Sequence, residues 1–246
     1  MRVALVCIAK NEDLYIEEWV KYYTYLGFDK IFIYENDWRC EYENDIICKI
    51  PFDGIGKQVE AYNNFITHHK NDWDWVAFFD VDEFLVLKKH DNIKQFLFNY
   101  NEFDGVGINW YLFGDNNQSA PSDNYSVLER FTKRQLNINC QIKSIIKPTR
   151  INNYCVHSPC HHAIVDTNKH KFVGPLNHNG NDDFAQINHY FTKTYEEWKL
   201  KRERGRSDMK HGNGALVQRR DEDFNIHNLN EIEDKSALEF WKKYNP

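Results

Sequence analysis

Residues Trp73 to Phe79 form an almost wholly apolar run that stops at Asp80-Val81-Asp82-Glu83, and a second apolar run, Phe84-Leu85-Val86, follows at once. A strand this apolar is covered on both faces, so three carboxylates at its end need water or a partner. In an open α/β sheet the ligand crevice lies beyond the carboxyl ends of the strands, which is where such a strand can deliver charge. An Asp-x-Asp spacing lets two carboxylates approach one hard divalent cation, directly or through its water, while the other coordination positions take diphosphate oxygens. The alternative is a polar turn whose acids cap the next segment, with Glu83 turned aside to orient a neighbour.

The rest of the chain reads as alternating strands and helices. Arg2 to Ile8 is a short apolar, β-branched run ending in Lys10-Asn11-Glu12-Asp13, and it predicts a buried first strand. From Asp13 onward Ile16, Trp19, Val20, Tyr23 and Leu26 recur at helical spacing, and Gly27 stands where a C-cap belongs. Strands are expected at Lys30 to Tyr34 and Ile46 to Ile50, and a helix over Gly56 to His69 carrying Val59, Tyr62, Phe65, Ile66 and His69 on one face. Further along come strands at Leu85 to Leu87, Gly105 to Trp110, Ile142 to Lys147 and His162 to Asp166, and a helix at Asn92 to Tyr100. The Asn-, Asp-, Ser- and Gly-rich stretch Gly114 to Asn124 predicts a loop. Thr194 and Glu197 form a capping box for a helix running to about Arg204, and Ser236 to Tyr244 reads as a last helix. This order implies an α/β fold with a mostly parallel central sheet flanked by helices. Residues 1–246 read as one domain, with 193–246 its C-terminal helical, locally basic segment.

A formal net charge of -6 argues against nucleic acid as the partner, because that binding rests on a basic footprint. Aromatic residues make up 15% of the chain, which suits a bulky core and also sites that stack on sugar faces. The six cysteines show no C-x-x-C pair and no zinc-ligand spacing, so free thiols are expected. No signal peptide opens at Met1, and no apolar run nears the ~20 residues a spanning helix needs. The expected location is therefore cytoplasmic, with peripheral contact to a membrane as the alternative.

Six short segments occur in the order seen in the glycosyltransferase family 92 and family 2-like group, and the chain resembles that group through them. They are Val3 to Glu12, Gln58-x-x-Ala61-Tyr62-Asn63, Phe79 to Phe84, Asn109-Trp110-x-x-Phe113-Gly114, Lys143 to Pro148 and Asn188-His189-Tyr190. The resemblance implies a GT-A, Rossmann-like fold, a UDP- or GDP-linked sugar donor, a manganese or magnesium ion, and inversion at the anomeric carbon. It places Lys10, Asn11 and Glu12 against the nucleoside, Asn36 or Asp37 on base or ribose, and Gln58 nearby. It also makes His189 the residue that completes the metal shell of Asp80 and Asp82 or touches the diphosphate, with Asp80 facing the nucleotide as well. Turn chemistry is the competing reading for the Asn and Asp residues in these loops.

Inverting transfer needs a carboxylate to take the proton of the acceptor hydroxyl. Asp115, just after Trp110-x-x-Phe113-Gly114, is one candidate, with Trp110 stacking on an acceptor sugar. Asp182 and Asp183, in the loop from Asn177, are the other. From Lys193 to Arg220 nine basic residues face four acidic ones, a segment able to close over a diphosphate and offset its charge. The reading is thus a metal-dependent hexosyltransferase acting on a glycan or glycolipid hydroxyl. A nucleotidyltransferase and a non-catalytic carbohydrate-binding relative are the alternatives.

Overall fold

A computed structural model describes residues 1–121 and 124–245; Ser122 and Asp123, part of the expected loop 114–124, lie outside the described residues. The strands are β1 (Val3–Ala9), β2 (Lys30–Glu35), β3 (Ile47–Pro51), β4 (Trp75–Phe78), β5 (Glu83–Leu87), β6 (Gly105–Leu112), β7 (Lys133–Arg134), β8 (Ile142–Ile146), β9 (Ala163–Val165), β10 (Lys171–Val173), β11 (Ala185–His189) and β12 (Ile232–Glu233). The helices are α1 (Ile16–Tyr25), α2 (Gln58–His69), α3 (Ile93–Phe98), α4 (Val127–Arg130), α5 (Tyr195–Glu203), α6 (Glu222–His227) and α7 (Ser236–Tyr244). The α/β architecture expected from the sequence is present, with a large central sheet and helices against it.

The sheet runs β10-β9-β6-β8-β4-β1-β2-β3, with β11 joining β6 to β5. The half formed by β3-β2-β1-β4 is parallel, so Ala9, Glu35 and Phe78 end at one edge. Beyond β4 the sheet is mixed, because β8 runs antiparallel between β4 and β6. All seven residues of β1 are buried, and their alternation divides the core. Val3, Leu5, Cys7 and Ala9 pack toward Trp19, Tyr22 and Tyr23 of α1, while Ala4, Val6 and Ile8 pack toward Ala61, Tyr62 and Phe65 of α2. Gly27 closes α1 at φ +95°, a left-handed conformation that a Cβ would strain.

The free-thiol expectation is corrected at one pair. Cys155 and Cys160 are disulfide-bonded, with Cα atoms 5.4 Å apart, while Cys7, Cys40, Cys48 and Cys140 are free. The pairing follows from a tight reversal in which the Cys155 amide donates to the Ser158 carbonyl, a proximity that spacing alone does not announce. Among the described residues no helix is long and apolar enough to cross a membrane.

The capping box at α5 anchors the C-terminal segment. Thr194 and Glu197 satisfy each other's backbone amides, and Glu197 is also gripped by both terminal nitrogens of buried Arg130 (2.9 and 2.6 Å) and by the Tyr15 hydroxyl (2.6 Å). Burial works to raise the Glu197 pKa, but the bonds from Arg130, Thr194 and Tyr15 hold it down at about 2. Arg130→Met leaves a buried carboxylate without its counterion and is expected to cost about 3–5 kcal/mol in urea unfolding at neutral pH. Because the folded value lies below the ordinary one, the folded state binds fewer protons. The contribution of Glu197 is therefore full at neutral pH and fades as pH falls from about 4.5 toward about 2. Glu197→Gln should flatten that part of the stability–pH curve, and an unchanged curve would contradict this account.

Candidate active site

Strand register brings the acids together. β4 ends at Phe78, and the next residues turn so that the Glu83 amide donates to the Asp80 carbonyl (3.0 Å) while the Glu83 carboxylate accepts the Asp80 amide (2.9 Å). β5 starts on Glu83, which pairs with His189 across the antiparallel β5–β11 ladder, and His189 in turn stands level with Leu112 of β6. The Tyr190 amide closes the corner on the Asp82 carbonyl at 2.8 Å. Asp80, Asp82 and His189 thus line one cavity of about 380 Å³ at the carboxyl edge of β1, β4, β6 and β11.

The charges there are arranged in layers. Lys143, fully buried on β8, lies beneath the acids, 2.9 Å from Asp80 Oδ2 and 3.5 Å from Glu83 Oε2. Gln58 Nε2 and the Tyr62 hydroxyl donate to Asp80 Oδ1 at 2.8 and 3.2 Å. On the other side Lys201 donates to Asp82 Oδ2 at 2.5 Å, and His189 Nε2 lies 3.5 Å from Asp82 Oδ1. Burial opposes ionisation of Asp82, yet Lys201 and His189 pull its pKa well below the ordinary carboxylate value. Glu83 goes the other way: burial, then the repulsion of Asp80 and Asp82, push it up despite Lys143. Burial pushes the His189 pKa down, against the pull of Asp82. Among the described residues Glu83 Oε1 and His189 Nδ1 have no hydrogen-bond partner, and they face each other at 4.0 Å.

Two carboxylates and an imidazole form a donor set suited to a hard or borderline divalent cation. Asp80 supports the fit because its side chain remains 31% exposed toward the cavity. The donors are not yet gathered: among the described residues no three His, Cys, Asp or Glu side chains stand in a metal-holding arrangement. The ammonium of Lys201, seated on Asp82, occupies part of that space.

A cationic wall faces the acids. Lys201, Arg204, Arg206 and Arg219 line the cavity together with Asp208 and Asp223, His157 and Trp110. Arg204 is tied to Glu12 at 2.5 Å and to the Lys10 carbonyl at 2.7 Å, so the C-terminal segment is stitched to the loop after β1. Burial and the neighbouring Lys143 push the His157 pKa down to about 3. A smaller crevice of about 60 Å³ continues alongside, lined by Ala9, Lys10, Glu12, Asn36 and Gly56.

The sequence-derived candidates separate accordingly. Gln58, Asp80, Asp82 and His189 line the main cavity, Glu12 lines both, and Lys10 and Asn36 line the smaller one. Asn36 spends its side-chain amide on the Phe52 and Gly54 carbonyls, and Asp37 accepts from Lys10 and the Gly54 amide. Asn11 is exposed at φ 53° and is not among the residues lining either space. Neither proposed base reaches the cavity. Asp115 accepts from Asn228 (2.9 Å), Asn230 (3.2 Å) and the Asn117 amide (2.8 Å), which turns it into a clamp on the 228–230 segment. Asp182 is paired with Lys88, and Asp183 meets Asn168. Asp208 and Asp223 carry no role that their sequence neighbourhood announces, whereas Arg219 belongs to the basic stretch Lys193 to Arg220. For Lys143 a signal existed, since a single lysine inside the apolar run Ile142 to Ile146 needs a buried counterion.

A family model described as Glycosyltransferase family 92 matches residues 54–225. A glycosyltransferase family 92 protein of Arabidopsis thaliana is 24% identical over 212 residues, covering 78% of this chain and 35% of the relative. One from Ricinus communis is 22% identical over 212 residues, with the same coverage of 78% and 35%. The chain thus spans about a third of the length of the curated relatives it matches. Among solved structures, S. aureus TarS 1–349 in complex with UDP-GlcNAc is similar at TM-score 0.39 and 14% identity, over 61% of this chain and 46% of that one. Francisella tularensis 2-C-methyl-D-erythritol 4-phosphate cytidylyltransferase is similar at TM-score 0.38 and 12% identity, over 62% of this chain and 75% of that one.

Lys143 is the buried countercharge to Asp80 and Glu83, so Lys143→Met is expected to cost about 3–5 kcal/mol in chemical unfolding. Adding Glu83→Gln to that variant should restore part of the loss, because it removes one of the two acids Lys143 offsets. Equal stability of the single and double variants would show that Lys143 does not act through Glu83.

Proposed function

The chain belongs to glycosyltransferase family 92, and we propose that it transfers a hexose from a UDP- or GDP-linked donor to a hydroxyl of a glycan or glycolipid, with inversion, as a single GT-A unit over residues 1–246. The observation that carries this reading is the cavity at the strand ends, where Asp80 and Asp82 oppose Lys201, Arg204, Arg206 and Arg219. Acids able to take a cation and cations able to take an anion, placed across one cleft, match a metal-bound diphosphate.

In this reading the smaller crevice beside Lys10, Glu12 and Asn36 takes the nucleoside, and the arginines of the C-terminal segment hold the diphosphate. Asp80 and Asp82 would hold manganese or magnesium, with His189 as a further donor, and the ion would neutralise charge on the leaving diphosphate. Gln58, Tyr62 and Lys143 fix the Asp80 carboxylate from below, leaving its exposed edge to the ligand. Trp110 and His157 form the wall available to a sugar ring, 5.1 Å apart between ring centroids. Asp208 and Asp223 replace Asp115 and Asp182 as candidates for the proton acceptor, because they line the cavity. Burial raises both, but Arg206 and Arg220 keep them below the ordinary carboxylate value, so acceptor binding must loosen one of these pairs for it to work as a base. The Cys155–Cys160 disulfide favours an oxidising compartment over the cytoplasm.

Incubation with manganese and a panel of UDP- and GDP-sugars should release nucleoside diphosphate from one donor. Asp82→Asn should reduce that release by about 10²-fold or more, the size of effect seen when one electrostatic stabiliser of a transition state is removed. Release of pyrophosphate from a nucleoside triphosphate instead would favour the nucleotidyltransferase alternative. With an acceptor found, Asp208→Asn or Asp223→Asn should lower kcat by about 10²- to 10⁴-fold. If neither does so, the base lies outside this cavity.

A further inference from the structure

Two lysines neutralise the acid pair, and they differ in kind. Lys143 stands on a central strand, is fully buried, and bridges Asp80 and Glu83 from beneath. Lys201 comes from α5, 119 residues along the chain from Asp82, and lines the cavity itself. It donates to Asp82 Oδ2 at 2.5 Å and to the Phe191 carbonyl at 2.7 Å, with its ammonium 4.2 Å above the Phe191 ring. Both partners of the Lys201–Asp82 pair are less than a tenth exposed.

A divalent cation on Asp82 and an ammonium at hydrogen-bond distance from the same carboxylate repel strongly in a poorly hydrated wall. They also compete for the same oxygen lone pairs. Lys143 has nowhere to go. Lys201 does, because it borders the open cavity. Among the described residues Arg219 pairs with no carboxylate, and its guanidinium bonds the Gly205 carbonyl at 3.0 Å. Arg204 and Arg206 are held by Glu12 and Asp208, so the Arg219 guanidinium is the cation beside Lys201 that is left to attract an anion into this space.

We propose that Lys201 is a placeholder cation: it neutralises Asp82 while the cleft lacks donor, leaves that carboxylate when a divalent cation binds, and turns its ammonium to the diphosphate oxygens. This rests on the reading above, in which Asp80 and Asp82 hold the ion. Divalent cation and nucleoside diphosphate then strengthen each other's binding, since the ammonium that one displaces is taken up by the other.

The test is Mn²⁺ binding to the intact chain, followed by the electron paramagnetic resonance of free Mn²⁺, with and without UDP or GDP. Wild type should bind Mn²⁺ weakly alone and more tightly with nucleotide. Lys201→Met should bind Mn²⁺ alone about tenfold or more tighter than wild type, since a competing charge is gone, and should gain less from nucleotide. Lys201→Gln, which keeps a donor for the Phe191 carbonyl, should behave the same way if the Met variant folds poorly, and Lys201→Arg should resemble wild type. Equal or weaker Mn²⁺ binding by the uncharged variants, with melting unchanged, would overturn the placeholder role. Nucleotide binding without Mn²⁺ uptake in any of the proteins would overturn it too, while leaving the transferase reading standing. Failure of every protein to bind either ligand would remove both.

Discussion

The ion pairing of Lys143 with Asp80 and Glu83 is the interaction on which the rest of the site depends. Three carboxylates in four residues at the end of a buried strand would repel one another and pay heavily for lost hydration. One fully buried ammonium on the neighbouring β8 compensates them from within the sheet, 2.9 Å from Asp80 and 3.5 Å from Glu83. Once the lower side is settled, Asp80 and Asp82 can present their remaining oxygens to the cavity. The buried charge is tolerable only because β8 runs antiparallel between β4 and β6 and places Lys143 beneath the turn.

A second constraint comes from far along the chain. α5 is held by its capping box and by Arg130, which meets Glu197 across 67 residues. That anchorage lets Lys201 reach Asp82 and Arg204 reach Glu12 and the Lys10 carbonyl. The cleft is consequently made of two unlike walls. One is the rigid, hydrogen-bonded edge of the sheet. The other is a cationic segment that meets that edge partly through the ion pairs Lys201–Asp82 and Arg204–Glu12, and such pairs are sensitive to any ligand that brings its own charge.

Much of this was legible in the primary structure because its signals are local. The apolar run of β1, the helical spacing of Ile16, Trp19, Val20 and Tyr23, the capping box at Thr194 and the abrupt acids after Phe79 each involve residues within a turn or two of one another. Asp80, Asp82 and Gln58 were located by their position relative to apolar strands and by resemblance. Asp115 and Asp182 are not among the residues lining the cavity, and sequence does not reveal this, because an aspartate in an Asn- and Gly-rich loop looks alike whether it faces a substrate or clamps Asn228 and Asn230. β11 went unread as a strand because Gln186 and Asn188 break its apolar pattern. Both are fully buried and bond each other at 2.7 Å, a compensation that only packing reveals.

By itself the sequence determined the α/β class, the main elements of the parallel half and the placement of two aspartates at a strand end, since periodicity and turn chemistry act over a few residues. Tertiary structure alone decided which charges meet. Lys201, Arg219, Asp208 and Asp223 line the cavity with Asp80 and Asp82 from far along the chain, Lys201 being 119 residues from Asp82, while Lys143 meets Asp80 from beneath. Charge–charge interaction acts through space and has no periodicity along the chain, so its partners become visible only when the sheet order and the return of α5 are known.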